Sequence, residues 1–330
     1  MKKSNSSSAE QLDTNANHDP RGRLQVADKK PHRKKKRMKS QKFREAATGY
    51  FFLAPALILL GIFLLYPMGA AFYYSFTDFY ILTPNDISFI GFENFSYIWN
   101  DAEFRQAFWN TVYFAAIVVP VQLTVALGLA LLINKKIRFR VFFRTAFFSP
   151  VVMSLVVVSI LWTFMYNPNE GLINELLGLF GIPAQPFLNS PDQAMNSIIV
   201  MSVWQGAGFQ MMIFLAGLQN IPTHLYEAAD IDGASKWQKF LHVTLPGLRN
   251  IALFIFITIT IAAFKLLVQP MIMTQGGPLG TTKSLVYHIY ETGFNYRDVG
   301  YASAMAVVFT VIVLAVTIIQ RMLTREEGGV

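Results

Sequence analysis

The sequence predicts an all-α, polytopic membrane protein with six transmembrane helices. Two observations carry that expectation. The 330 residues are 53% hydrophobic and only 15% charged, with 29 Phe. The apolar residues also gather into six long runs, 50–76, 106–133, 145–166, 195–218, 250–273 and 301–320, and five of the six hold no charge. About 20 apolar residues, rising roughly 1.5 Å each, cross a hydrocarbon core of roughly 30 Å. Length alone would also allow two soluble domains. Six runs so poor in charge argue against a soluble core, and in lipid a helix satisfies its own backbone.

Residues 1–48 are of different material. They hold 14 Lys and Arg, densest over 32–44, with many Ser, Asn and Gln. Such a segment cannot bury enough apolar area to fold alone. It reads as a disordered basic cytoplasmic tail, 1–48, ahead of a membrane domain, 49–330. Contact with anionic lipid headgroups is a second reading, at about 1 kcal/mol per basic residue near the surface, and nucleic acid is not expected as a partner. The run that follows is too long for the apolar part of a cleavable signal.

The loops between the runs set the orientation. Loop 134–144 carries Lys135, Lys136, Arg138, Arg140 and Arg144; loop 219–249 carries Lys236, Lys239 and Arg249; the C-terminus carries Arg321 and Arg325. The intervening loops hold only Arg105, Lys283 and Arg297. Basic residues stay on the cytoplasmic side, so both termini and loop 219–249 are expected there. The expected location is a cell membrane, crossed several times.

Within that cytoplasmic loop, residues 222–246 read as a helical hairpin. Pro222 opens a short helix, and Gly233 suits the left-handed residue that ends one. Ser235 and Gln238 form a capping box for a second short helix, which Pro246 is expected to limit. Ala228 and Ala229 keep one side of the first helix slim. Glu227, Asp230 and Asp232 supply charge for a partner.

The order Glu227-Ala228-Ala229, three residues, Gly233, nine residues, Val243, one residue, Leu245-Pro246 resembles the EAA loop of bacterial binding-protein-dependent ABC importers. In that family the loop docks a permease on its ATPase; Val243 stands where Ile is usual. The resemblance to the carbohydrate-type permeases of the maltose and glycerol-3-phosphate group extends over 204–229, 91–95, Asn110-Thr111, 273–278, Thr281-Thr282 and 300–304. It covers about 280 residues, from Tyr50 onward. It implies the type I ABC importer permease fold in its plain six-span form, and uptake of a sugar or oligosaccharide. It also implies a second permease subunit, two ATPase subunits and an extracytoplasmic solute-binding protein. Docking then falls to Glu227, Ala228, Ala229, Asp230, Asp232, Gly233, Leu245 and Pro246.

No chemistry of this chain's own is expected. Cysteine is absent, no His/Asp/Glu set has metal-ligand spacing, and no phosphate-binding G-x-x-x-x-G-K-[ST] occurs. ATP and Mg therefore belong to the partner ATPase, and this chain binds no cofactor. The polar residues inside the runs are the candidates for a solute path: Asn110 and Gln122, Gln205 and Gln210, Lys265 and Gln269, with Trp204 as a surface for a sugar ring. Lys265 is the one charge in the six runs. It is disfavoured mid-helix by roughly 2.5–3.5 kcal/mol on insertion scales, and in a continuous helix it would share a face with Gln269 four residues on. Helix–helix bonding or snorkelling are the plainer readings of these residues. An ion-driven secondary transporter is the competing class, and the lack of Asp or Glu in any run weighs against proton coupling.

Overall fold

The computed structural model describes residue 46 and residues 48–135 and 138–324. The basic tail up to residue 45, Lys136 and Arg325 lie outside the described residues. The chain divides into two compact units, Met1–Leu64 and Leu65–Val330. What is described of the first is the opening of helix α1 (Thr48–Tyr74), in which no residue of the most apolar stretch is buried.

The second unit follows α1 with α2 (Glu93–Asn100), α3 (Ala102–Asn134), α4 (Arg140–Val152), α5 (Leu155–Met165), α6 (Leu172–Leu179) and α7 (Ala194–Asn220). Then come α8 (Thr223–Ile231), α9 (Lys236–Phe264), α10 (Val268–Met273), α11 (Leu285–Tyr290) and α12 (Val299–Thr324). Among the described residues β-structure amounts to two isolated bridges, Thr77 with Phe89 and Tyr80 with Asp298. Helices α1, α3, α7, α9 and α12 are each long and apolar enough to span a membrane, and α4 with α5 makes a sixth span if the pair counts as one.

The core is the seam between α3 and α7. Ala115, Ala126 and Ala130 from α3 and Ala207 from α7 are buried there, with Phe214, Ile198, Met201 and Met211 filling the space around them. Small residues let helix backbones close up where lipid offers no hydrophobic drive for association. Gly208 is the extreme case, since a Cβ there would lie 2.0 Å from the Phe147 carbonyl oxygen of α4. Apolar side chains facing outward, such as Phe164, Phe254 and Val311, are the lipid- or partner-facing counterpart of this core.

Two expected spans are interrupted, each near a proline. The run 145–166 is bent by 100° between α4 and α5. Pro150 cannot donate to Ala146, and one turn later Met153 is extended at φ −74°, ψ 144°. The run 250–273 stops as a helix at Phe264 and restarts at Val268. Pro270 has no N–H for the Leu266 carbonyl and its ring would strike it. That carbonyl instead accepts from the Ser284 hydroxyl, and Pro270 sits harmlessly in the first turn of α10. Lys265 and Gln269 therefore do not share one helical face, contrary to the sequence expectation.

Pro246 corrects a third expectation. It does not end the second hairpin helix, because residues Lys236–Phe264 form one helix. The turn before the proline widens to a π-turn over Phe240–Thr244, and Pro246 opens the next α-helical stretch, where no donor is required.

Replacing Gly208 by Val should overpack the α4–α7 contact and destabilise the fold by about 1–3 kcal/mol. A lowered unfolding temperature in detergent, with Gly49→Val unaffected because open space surrounds that position, is the expected result.

Candidate functional site

The hairpin at residues 222–246 is assembled from local sequence. Pro222 stands at the N-cap of α8, and Asp232 closes it. Gly233 adopts φ +72°, the Ala234 N–H donates to the Ala229 carbonyl at 2.9 Å, and the Gly233 N–H donates to Asp230 at 3.1 Å. These two bonds make a Schellman closure, which needs a residue tolerant of the left-handed region. The next helix begins with the expected capping box: the Gln238 N–H donates to Ser235 Oγ at 3.3 Å, and the Ser235 N–H to Gln238 Oε1 at 2.7 Å.

Two contacts then fasten α8 to α9. Lys239 Nζ lies 2.5 Å from Asp230 Oδ1, and the Tyr226 and Thr244 hydroxyls are 2.9 Å apart. Asp230 thus spends its charge inside the hairpin. Among the described residues Glu227 and Asp232 have no ion-pair partner, and both are exposed. Ala228, Gly233, Leu245 and Pro246 are exposed and Ala229 half-buried. Ile231 and Trp237 add an apolar surface, at 87% and 67% exposure. A rigid, exposed hairpin with free carboxylates and apolar side chains can be gripped by another protein.

The far end of α9 borders a cavity of about 320 Å³. Gln122 of α3, Gln205 and Gln210 of α7, Lys265 after α9 and Gln269 of α10 all line it, beside Phe114, Phe209 and Leu155. The break after Phe264 brings Lys265 and Gln269 to the same wall by separate routes. Gly206 gives room to Gln122, whose Nε2 would stand 2.4 Å from a Cβ at that position. The Gln210 Oε1 atom is buried without a hydrogen-bond partner, so it is an acceptor awaiting a donor. Lys265 is exposed and is the one ionisable residue of the lining. The cavity offers amides and one ammonium, a set that hydrogen-bonds a hydroxylated solute and does not attract a cation.

Asn110 and Trp204 stand apart from it. Asn110 Nδ2 donates to the Gly280 and Lys283 carbonyls at 2.8 and 2.9 Å, and its neighbour Thr111 accepts from the Leu285 N–H at 2.8 Å. This pair moors the loop 274–284 onto α3, with Thr274 and Thr282 joined hydroxyl to hydroxyl at 2.7 Å inside that loop. Trp204 packs against Trp162, ring centres 5.5 Å apart. Sequence reasoning missed the Tyr226–Thr244 bond and the Ser284–Leu266 bond. Both link residues 18 apart in the chain, beyond the three- and four-residue spacings of a helix.

Residues 122–327 match the family model described as "Binding-protein-dependent transport system inner membrane component". The chain belongs to this family. The inner-membrane permease is 36% identical to the probable ABC transporter permease YurN of Bacillus subtilis, over 82% of this chain and 94% of that one. It is 33% identical to the arabinooligosaccharide transport permease AraP of the same organism, over 87% and 91%. In fold it matches a chain of a bacterial ABC transporter that imports alginate, with a TM-score of 0.76 and 23% identity, over 88% of this chain and 99% of that one.

The matched region of the permease contains the hairpin and every cavity residue named above except Phe114. Replacing Gly233 by Val should strain the turn by roughly 1–2 kcal/mol, since open space around it leaves only the φ to object. The variant permease should insert normally and unfold at a lower temperature in detergent than the native chain.

Proposed function

We propose that the permease forms a path for a sugar or oligosaccharide together with a second permease subunit, driven by two ATPase subunits docked on their hairpins. In this reading Glu227, Ala228, Ala229, Asp230, Asp232, Gly233, Leu245 and Pro246 make the docking surface. Gln205, Gln210, Lys265 and Gln269, with Gln122, line the path; Asn110 and Trp204 support it by holding loop and helix. ATP and Mg bind to the ATPase, this chain carries no catalysis, and an extracytoplasmic binding protein delivers the solute. Both termini and the hairpin face the cytoplasm, following the excess of Lys and Arg there.

The observation that carries the proposal is the continuity of α9. A single helix of 29 residues, about 43 Å long at 1.5 Å per residue, begins in the hairpin's capping box and ends beside Lys265 in the cavity wall. A displacement imposed on the hairpin by the closing ATPases therefore reaches the cavity without an intervening hinge. Docking energy that differs between ATP-bound and ATP-free states then shifts the cavity between its outward- and inward-facing forms. The carbohydrate assignment is supported by the amide-rich lining and by the relatives' transported solutes.

Lys265→Met should leave insertion, thermal stability and ATPase co-purification unchanged, because its ammonium has no partner among the described residues. Uptake by proteoliposomes containing the whole transporter should fall, or the order of solutes accepted should change. Unaltered uptake of every solute would remove Lys265 from the path, and a loss of stability before any loss of transport would make it structural.

A further inference from the structure

At the end of the spans opposite the hairpin, α3, α11 and α12 meet around one buried imidazole. Asp101 caps α3: its Oδ1 accepts from the Glu103 and Phe104 N–H groups at 2.8 and 3.1 Å. Its Oδ2 accepts from the Tyr301 hydroxyl of α12 at 2.7 Å and lies 3.5 Å from Nε2 of His288, on α11. The other ring nitrogen, Nδ1, is 3.9 Å from Glu103 Oε2. His288 is 4% exposed, and both its nitrogens are buried with no hydrogen-bond partner. Lys283 completes the cluster, 3.2 Å from Glu103 and 2.7 Å from Glu291. The titratable groups gathered here are thus Asp101 and Glu103 from the start of α3, Lys283 from the preceding loop, Tyr287, His288 and Glu291 along α11 and its following turn, and Tyr301 from α12 with Asp298, whose Oδ1 accepts from the Tyr301 N–H at 3.0 Å.

A neutral imidazole has a single N–H and can serve only one of the two flanking carboxylates; the protonated ring donates from both nitrogens. We propose that His288 is a proton-sensitive clamp, fastening the start of α3 to α11 and, through Asp101 and Tyr301, to α12 when protonated, and loosening them when neutral. Both α3 and α12 are spans, so the clamp governs how readily their ends part. Four carboxylates gather with one ammonium in this cluster, which leaves room for a second positive charge. Burial would raise the Asp101 carboxyl, but the Tyr301 hydroxyl, the Phe104 and Glu103 N–H groups and His288 outweigh it and hold it below its ordinary value. Asp101 therefore keeps its charge beside the ring, so that both nitrogens of His288 face a carboxylate.

The test is amide hydrogen exchange of residues 101–106 and 285–292 in the whole transporter in lipid nanodiscs, at about pH 6 and about pH 8, corrected for intrinsic exchange. In the native protein these amides should open about tenfold more often at the higher pH, the factor carried by one charge-assisted hydrogen bond. His288→Gln should show equal opening at both. Equal protection in the native protein, or an undiminished pH response in His288→Gln, overturns the clamp. Should His288→Gln fail to assemble, Glu103→Gln decides the matter, since that side chain is 61% exposed and dispensable for packing. It should weaken the pH response, and a response of native size overturns the proposal.

Discussion

A proline that cannot donate a hydrogen bond decides where α9 stops, and much of the molecule follows from that stop. Had the helix run on through Pro270, the Leu266 carbonyl would have been orphaned in an apolar setting, at a penalty of about 1–3 kcal/mol for a buried group. Ser284 takes that carbonyl, which draws the loop 274–284 down onto the broken end. Asn110 and Thr111 hold the same loop from α3. The break thus creates the wall carrying Lys265 and Gln269 and fixes where the loop 274–284 is anchored.

The other end of α9 is treated in the opposite way. Pro246 is bypassed rather than obeyed, because a widened turn over Phe240–Thr244 precedes it. The helix therefore emerges from the membrane domain into the hairpin without a joint. Lys239 with Asp230 and Tyr226 with Thr244 then bind α8 to it. The Lys–Asp pair, with Asp230 62% exposed, adds little energy by itself; its use is to fix the angle between two short helices. These bonds, with the Schellman closure and the capping box, hold the hairpin in one geometry.

The balance of polar groups supports a path rather than a packed core. Gln122, Gln205, Gln210 and Gln269 come from two long helices and the short α10, yet they face one space. Amides left unpaired in lipid would be expelled or would pair with each other. Here they surround a cavity, and the Gln210 oxygen is buried at its edge without a hydrogen-bond partner.

The sequence by itself determined the spans and the hairpin. Both rest on short-range rules: the length of an uncharged run against the thickness of a bilayer, a glycine for the left-handed turn, and Ser235 and Gln238 three residues apart for a reciprocal cap. The tertiary structure decided what the prolines do. Pro150 and Pro270 stand near breaks and Pro246 does not, though each only removes one donor. At Pro246 a widened turn precedes the proline, and at Pro270 the Ser284 side chain takes the abandoned carbonyl. It also decided which polar residues share the cavity and which, like Asn110, are spent on holding a loop. The last choice is made by groups more than 150 residues apart, as with Asn110 and Gly280, and no local pattern encodes it.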